Sequence, residues 1–203
     1  VIAEAGVNHL KDLDIAEKLI KTAANAGADI VKFQTYSAKK LTTRNAPRFW
    51  QWSGEHNQQG SQYDSYSLLE TPETEFTKFL IETCEKYGVE FMSTPFDDDA
   101  VIMLRDLGCK GYKIASGDIT NYPLLRKVAE QGLPIFLSTG ASTLTEIQAA
   151  IDVISRVDAN ADICVMQCTL CYPTRANDAN LSAILDIRKN FPDYVLGFSD
   201  HTI

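Results

Sequence analysis

No run of 18 apolar residues occurs in this chain, which excludes an ordinary membrane-spanning helix. Basic residues are also in short supply. The 19 Lys and Arg against 27 Asp and Glu leave a net charge of −8 and a pI near 4.9. That balance argues against a general nucleic-acid surface, which needs a basic stripe. It does not argue against a small anionic ligand, because a few buried lysines override the global sign locally. The five cysteines are odd in number and fall mostly in apolar strand or helix patterns, which suits reduced core thiols better than a disulfide framework. Cys168 and Cys171 have CxxC spacing, but a structural zinc needs a second ligand pair, and none stands at regular spacing. No secretory leader is recognisable, so the expected compartment is the cytoplasm. The chain opens on the strand-like Val1-Ile2-Ala3 without a methionine, and an upstream segment is expected.

What is present is an alternation. Short apolar strands are predicted at 1–6, 29–34, 89–93, 110–115, 134–137, 163–167 and 194–198, separated by helix-period segments. Asp12 is the capping candidate for the first helix, which Gly27 stops, and Thr143-Leu144-Thr145-Glu146 is a capping box. Thr71-Pro72-Glu73 reads as a helix start with proline at the first position. Asp97, Asp98 and Asp99 read as acids answering a helix dipole rather than as a metal cluster. Residues 35 to about 70 read as one long polar connection, whose Trp50 and Trp52 serve either a functional loop or a local mini-core. Seven strands alternating with six helices mean a parallel sheet in an α/β chain. Polar residues gather at the strand C-termini on every strand, which favours a (β/α)8 TIM barrel, truncated here at about seven strands, over an open sheet with a single switch point. The whole of 1–203 reads as one such domain.

The fourth strand carries the strongest chemical signal. Lys113 sits inside the apolar run Gly111-Tyr112-Lys113-Ile114 and is followed by Ser116, Gly117 and Asp118. A buried ammonium needs an anion, supplied either by a ligand or by a structural ion pair. Small residues at a following helix start let backbone N–H groups approach such a ligand. Lys32 and Lys113, with Thr94, Ser116, Ser138 and Ser199, make a cradle suited to a doubly charged anion. Glu4 and Asp118 are carboxylates that either hold the lysines charged or act as general acid–base groups. Lys32 and Gln34 are two apart and share a strand face. Gln34 and Tyr172 suit hydrogen bonding to a polyhydroxylated substrate, and His201 is either a metal ligand or a structural histidine.

The motifs Ile2-Ala3-Glu4-Ala5-Gly6-Val7-Asn8-His9, Val31-Lys32-Phe33-Gln34-Thr35, Ser93-Thr94-Pro95-Phe96, Lys113-Ile114-Ala115-Ser116-Gly117-Asp118, Leu137-Ser138-Thr139-Gly140, Tyr172-Pro173-Thr174 and Gly197-Phe198-Ser199-Asp200-His201-Thr202 stand in that order. Together they resemble the sialic acid synthase family over essentially the whole chain. The resemblance implies condensation of phosphoenolpyruvate with a 2-acetamido hexose such as N-acetylmannosamine, releasing phosphate and giving a sialic-acid-type 2-keto sugar acid. By position, Lys32, Lys113, Ser138 and Ser199 resemble the phosphate contacts, and Thr94 and Ser116 the carboxylate contacts. Gln34 and Tyr172 resemble sugar contacts, and Glu4 and Asp118, with Lys113, the groups beside the reacting carbons. His201 resembles one of two histidine ligands of a divalent ion, manganese with magnesium as the alternative, which polarises the sugar aldehyde.

The chain departs from the family where Asp118 and Leu170 stand, since some members carry Glu and Asn there. The eighth strand, with its second histidine, and the small antifreeze-like C-terminal domain are not in this sequence. The segment alone is therefore expected to be inactive and poorly soluble, and the full-length protein to be a homodimer. Three other functions compete with this one: a synthase acting on a phosphorylated aldose, a Schiff-base aldolase built on Lys113, and a non-catalytic sugar- or anion-binding module. Sialic, legionaminic and pseudaminic-type products all stay open from the sequence.

Overall fold

Each predicted strand exists, and within each of the chain's two compact units the strands run parallel. The structure is a computed structural model that describes residues 1–48, 60–71 and 73–202. The chain forms two compact units, Val1–Cys109 and Lys110–Ile203. The first contains β1 (Ile2–Gly6), α1 (Leu13–Asn25), β2 (Ile30–Thr35), α2 (Ala38–Leu41), α3 (Gln62–Leu69), α4 (Thr74–Tyr87), β3 (Glu90–Pro95) and α5 (Asp98–Asp106), with strand order β1-β2-β3. The second contains β4 (Tyr112–Ile114), α6 (Tyr122–Ala129), β5 (Ile135–Ser138), α7 (Leu144–Val157), β6 (Ile163–Cys168), α8 (Ala183–Asn190) and β7 (Val195–Ser199), with strand order β4-β5-β6-β7. Parallel strands in chain order, linked through helices, are the repeating unit of a TIM barrel, the expected class.

The local signals act as their chemistry predicts. Asp12 accepts a hydrogen bond from the Ile15 N–H at 2.9 Å and opens α1, whose Ala16 and Ile20 are buried. Gly88 ends α4 in the left-handed region, at φ 70°, where a Cβ would be strained. Thr143 and Glu146 form the predicted capping box of α7. The Asp97 carboxylate caps α5 by accepting from the Asp99 and Ala100 N–H groups, and Lys40 pairs with both Asp97 and Asp99. The aspartate run is therefore a helix start held by an ion pair. None of the five cysteines forms a disulfide; Cys84, Cys109 and Cys168 are buried as expected, whereas Cys171 is exposed. Among the described residues, no helix is long and apolar enough to cross a membrane.

Three local expectations need correction. The 35–70 connection is not irregular throughout, since α2 and α3 lie within it, and Ser61 with Asp64 makes a capping box for α3. That brings the described α-helices to eight, the six predicted plus these two. Trp50, Trp52 and Pro72 lie outside the described residues, and α4 begins at Thr74 with Glu73 in the cap position. Strand β4 covers only three residues, because the chain enters a 3-10 turn at Ser116–Asp118.

His9 follows β1 and is fully buried between aromatic rings, with Phe76 at 4.9 Å and Phe33 at 6.0 Å between centroids. Its Nδ1 accepts the Lys11 N–H at 3.1 Å, so the proton resides on Nε2, which has no hydrogen-bond partner among the described residues. Leu10 and Lys11 both take left-handed backbone conformations, at φ 52° and 62°. Burial, helped by the nearby Lys11 charge, lowers the His9 pKa from 6.5 to about 4. A base whose folded pKa is depressed binds its proton first in the unfolded chain. Stability should therefore fall as pH drops from about 6.5 to about 4, by about 2–3 kcal/mol from this residue alone. Urea unfolding of the wild type and of His9→Gln at pH 7 and pH 4.5 checks it. The variant should lose less stability between the two pH values, and an equal loss in both would remove His9 as the source.

Candidate functional site

In the first unit, strand pairing gathers the four predicted residues. Parallel pairing sets Glu4 opposite Lys32 and Gln34 opposite Thr94. Val31 and Phe33 are 0% and 1% exposed on one face of β2, so Lys32 and Gln34 emerge together on the other. The pairing of β1 with β2 is irregular between Glu4 and Gly6, a bulge of the kind that re-aims a side chain. Glu4 pairs with Lys32 through Oε2, and Lys32 Nζ also donates to Thr94 Oγ1 at 3.3 Å. A Cβ built on Gly6 would stand 3.1 Å from Glu4 Oε1 and 3.7 Å from Gln34 Nε2, so those two side chains converge above a glycine. The structure thus gives Glu4 the counter-ion role as well as a position beside Gln34. The Lys32 side chain is largely covered, while that of Glu4 is half exposed.

The second unit holds the other predicted residues at the C-terminal ends of its strands. Tyr112 and Ile114 are fully buried on one face of β4, and Lys113, 6% exposed, projects from the other. Its ammonium donates to Ser138 Oγ and, at 3.0 Å, to the Ile114 carbonyl. Ser116 Oγ accepts the Gly140 N–H at 2.9 Å. A Cβ on Gly140 would lie 2.8 Å from that oxygen and 3.2 Å from Cys168 Sγ, so glycine is what permits the close approach. Asp118 receives a hydrogen bond from Asn121 Nδ2 at 3.2 Å. Burial pushes the Asp118 carboxyl above the usual range, and the Asn121 bond offsets this in part.

Sequence reasoning treated Cys168 as a core thiol, and the structure puts it among the site residues. It lies opposite Ser199 in the β6–β7 pairing, and its sulfur is 3.8 Å from His201 Nδ1. Burial alone would raise this thiol, but hydrogen bonds with His201, Ser116 and Ser199 outweigh burial and hold it below its ordinary value. The signal was available: Cys164, Met166 and Cys168 alternate onto one strand face, and that face carries the ligand-like serines of β5 and β7.

His201 Nδ1 is 3.0 Å from the Thr169 carbonyl, an acceptor only, so Nδ1 carries the proton and Nε2 presents its lone pair. Contact with Cys168 raises the His201 pKa, burial opposes that, and the Thr169 carbonyl adds to the rise. A carbonyl on the far ring nitrogen is the usual way of orienting a metal-bound histidine, so His201 fits one coordination position of a divalent ion. Among the described residues, no group of three or more His, Cys, Asp or Glu gathers around it. The Tyr172 ring lies 4.2 Å from the His201 ring and is 63% exposed. Leu170, one of the two departures, is half exposed in the loop after β6.

A sequence model described as the NeuB family matches residues 19–203. The chain is 42% identical over 204 residues to the N,N'-diacetyllegionaminic acid synthase of Campylobacter jejuni, covering 100% of this chain and 60% of that protein. It is 33% identical over 202 residues to the N-acetylneuraminate-9-phosphate synthase of Mus musculus, covering 99% of this chain and 55% of that protein. The crystal structure of N-acetylneuraminic acid (sialic acid) synthetase from Leptospira borgpetersenii, in complex with citrate, matches with a TM-score of 0.85 and 32% identity over 99% of this chain and 64% of that one. The chain spans 55% to 60% of the length of these curated relatives.

Proposed function

Because the chain belongs to the NeuB family, matched over residues 19–203, we propose that it carries strand-end residues of a synthase that joins phosphoenolpyruvate to a 2-acetamido hexose. The product is a sialic-acid-type 2-keto sugar acid, and phosphate is released. The observation that carries this reading is Lys113, a buried ammonium at a strand C-terminus whose neighbours include the Ser138 hydroxyl. A cation held at that depth is suited to an anionic ligand such as a phosphate.

In this reading Lys32, Lys113, Ser138 and Ser199 bind the phosphate, and Thr94 and Ser116 bind the carboxylate. Gln34 and Tyr172 orient the open-chain sugar. The methylene carbon of phosphoenolpyruvate bonds to the aldehyde carbon, and the aldehyde oxygen takes up a proton. Water adds to the central carbon, and the bond from that carbon to the phosphate oxygen breaks. Asp118, whose carboxyl is raised by burial, is suited to hold the proton that the aldehyde oxygen receives. Glu4, paired with Lys32, is suited to accept a proton from the attacking water. His201 would hold a manganese or magnesium ion through Nε2, and the chemistry such an ion supplies is polarisation of the aldehyde oxygen.

The test is phosphate release from phosphoenolpyruvate by the complete protein. Acceptors are N-acetylmannosamine, its 6-phosphate and related diacetamido hexoses, each with manganese and with a chelator. Release with one acceptor is expected, lost on chelation and restored by manganese. Folded protein that binds phosphoenolpyruvate yet releases phosphate with no acceptor would sink the synthase reading and favour a binding module.

A further inference from the structure

The Asn121 side chain ties the 3-10 turn that carries Asp118 to the start of α6. We infer that Asn121 is a positioning residue that selects which oxygen of Asp118 faces the substrate; this rests on the synthase reading above. Asn121 Oδ1 accepts the Leu124 N–H at 3.4 Å and caps α6. An amide whose oxygen is committed to a helix N–H must turn its NH2 the other way, and Asn121 Nδ2 then donates to Asp118 Oδ1 at 3.2 Å. The reversed amide would oppose oxygen to oxygen at Asp118 and donor to donor at Leu124, so the orientation is over-determined. The Asn121 backbone N–H also donates to the Asp118 carbonyl at 2.9 Å, which fixes the distance between the two residues.

Asp118 Oδ1 is thereby occupied, and Oδ2 is left as the oxygen with no protein hydrogen bond among the described residues. Proton transfer at Asp118 runs through Oδ2. Burial and Asn121 are the two influences on the carboxyl, and they oppose each other. One helix cap thus doubles as the orienting partner of a proposed proton donor.

The experiment compares Asn121→Ser and Asn121→Asp with the wild type in the complete protein. Both substitutions keep a side chain that caps a helix, and both remove the amide donor. Titration of Asp118 is followed by carbon-13 NMR of labelled aspartate carboxyls, with Asp118→Asn identifying the resonance. The midpoint should rise in Asn121→Ser and rise further in Asn121→Asp, where a second carboxylate faces the first. With the acceptor found above, kcat of Asn121→Ser should fall about tenfold with KM for phosphoenolpyruvate little changed, the loss expected for one hydrogen bond to a charged group. The alkaline limb of the pH–rate profile, where the proton donor is lost, should move with the NMR midpoint. An unchanged Asp118 midpoint in Asn121→Ser overturns the inference and leaves Asn121 as a cap alone. That readout needs no turnover, so failure of the synthase reading, seen as no phosphate release by the wild type, is a separate result.

Discussion

Lys113→Met is expected to weaken phosphoenolpyruvate binding strongly while leaving the fold intact. The ammonium is 6% exposed and is held by Ser138 Oγ and the Ile114 carbonyl. Removing one partner of a buried, hydrogen-bonded charge contact costs about 2 to 5 kcal/mol, so affinity should fall by about 30-fold to a few thousand-fold. Methionine has similar length and no charge to desolvate. Replacing a buried cation by a well-packed apolar chain is neutral or stabilising in many proteins, so the melting temperature should hold or rise. The two groups that lose a donor offset part of that gain, at about 1 kcal/mol each. Calorimetric titration with phosphoenolpyruvate, together with a melting curve, separates the two effects. Wild-type affinity in the variant would remove Lys113 from the phosphate site. A large fall in stability with intact affinity would make it a structural lysine.

Gly140→Ala should damage both stability and activity. The backbone at Gly140 is not in the left-handed region, and at such a position alanine ordinarily stabilises by about 0.4–1 kcal/mol through the unfolded chain. Here the new methyl would sit 2.8 Å from Ser116 Oγ and 3.2 Å from both Ser116 Cβ and Cys168 Sγ. Neither neighbour is the tip of a long flexible chain. Ser116 must give up the Gly140 N–H bond, or the 3-10 turn must shift and carry Asp118 with it. Overpacking of this kind costs about 1–3 kcal/mol, and a shift near 1 Å in a site can cost about a hundredfold in rate. Adding Ser116→Ala removes the closest clash, so the double variant should recover part of the stability without recovering activity. Chemical denaturation and phosphate release, measured on both variants, check this. A Gly140→Ala variant that matches the wild type in stability and turnover would show that the turn yields freely.

Much of this was legible in local signals. The capping groups Asp12 and Thr143–Glu146 stand at the ends of α1 and α7 as their spacing requires. Lys113 between two fully buried residues was visible as a charge inside an apolar strand. Helix α3 was missed for a physical reason: Gln62–Leu69 has no apolar stripe at helical spacing, and Ser61 with Asp64 is its one start signal. The bond from Asn121 to Asp118 was not legible, because a helix-capping asparagine looks the same in sequence whether or not its amide also donates to a neighbour.

The sequence by itself determined the order of the strands and of six of the eight described α-helices, the faces on which Lys32, Gln34 and Lys113 lie, and the family to which the motifs point. Those follow from periods of 2 and 3.6 residues and from caps, all local within a turn or a strand. Only the tertiary structure decided that Glu4 pairs with Lys32, that Cys168 meets His201 and Ser199, and that Ser116 receives the Gly140 N–H. These contacts join residues 24 to 33 positions apart in the bonded cases of Gly140–Ser116 and Cys168–His201. They depend on strand register and on a bulge in β1, and register is set by the packing of whole faces against one another, which no short stretch of sequence encodes.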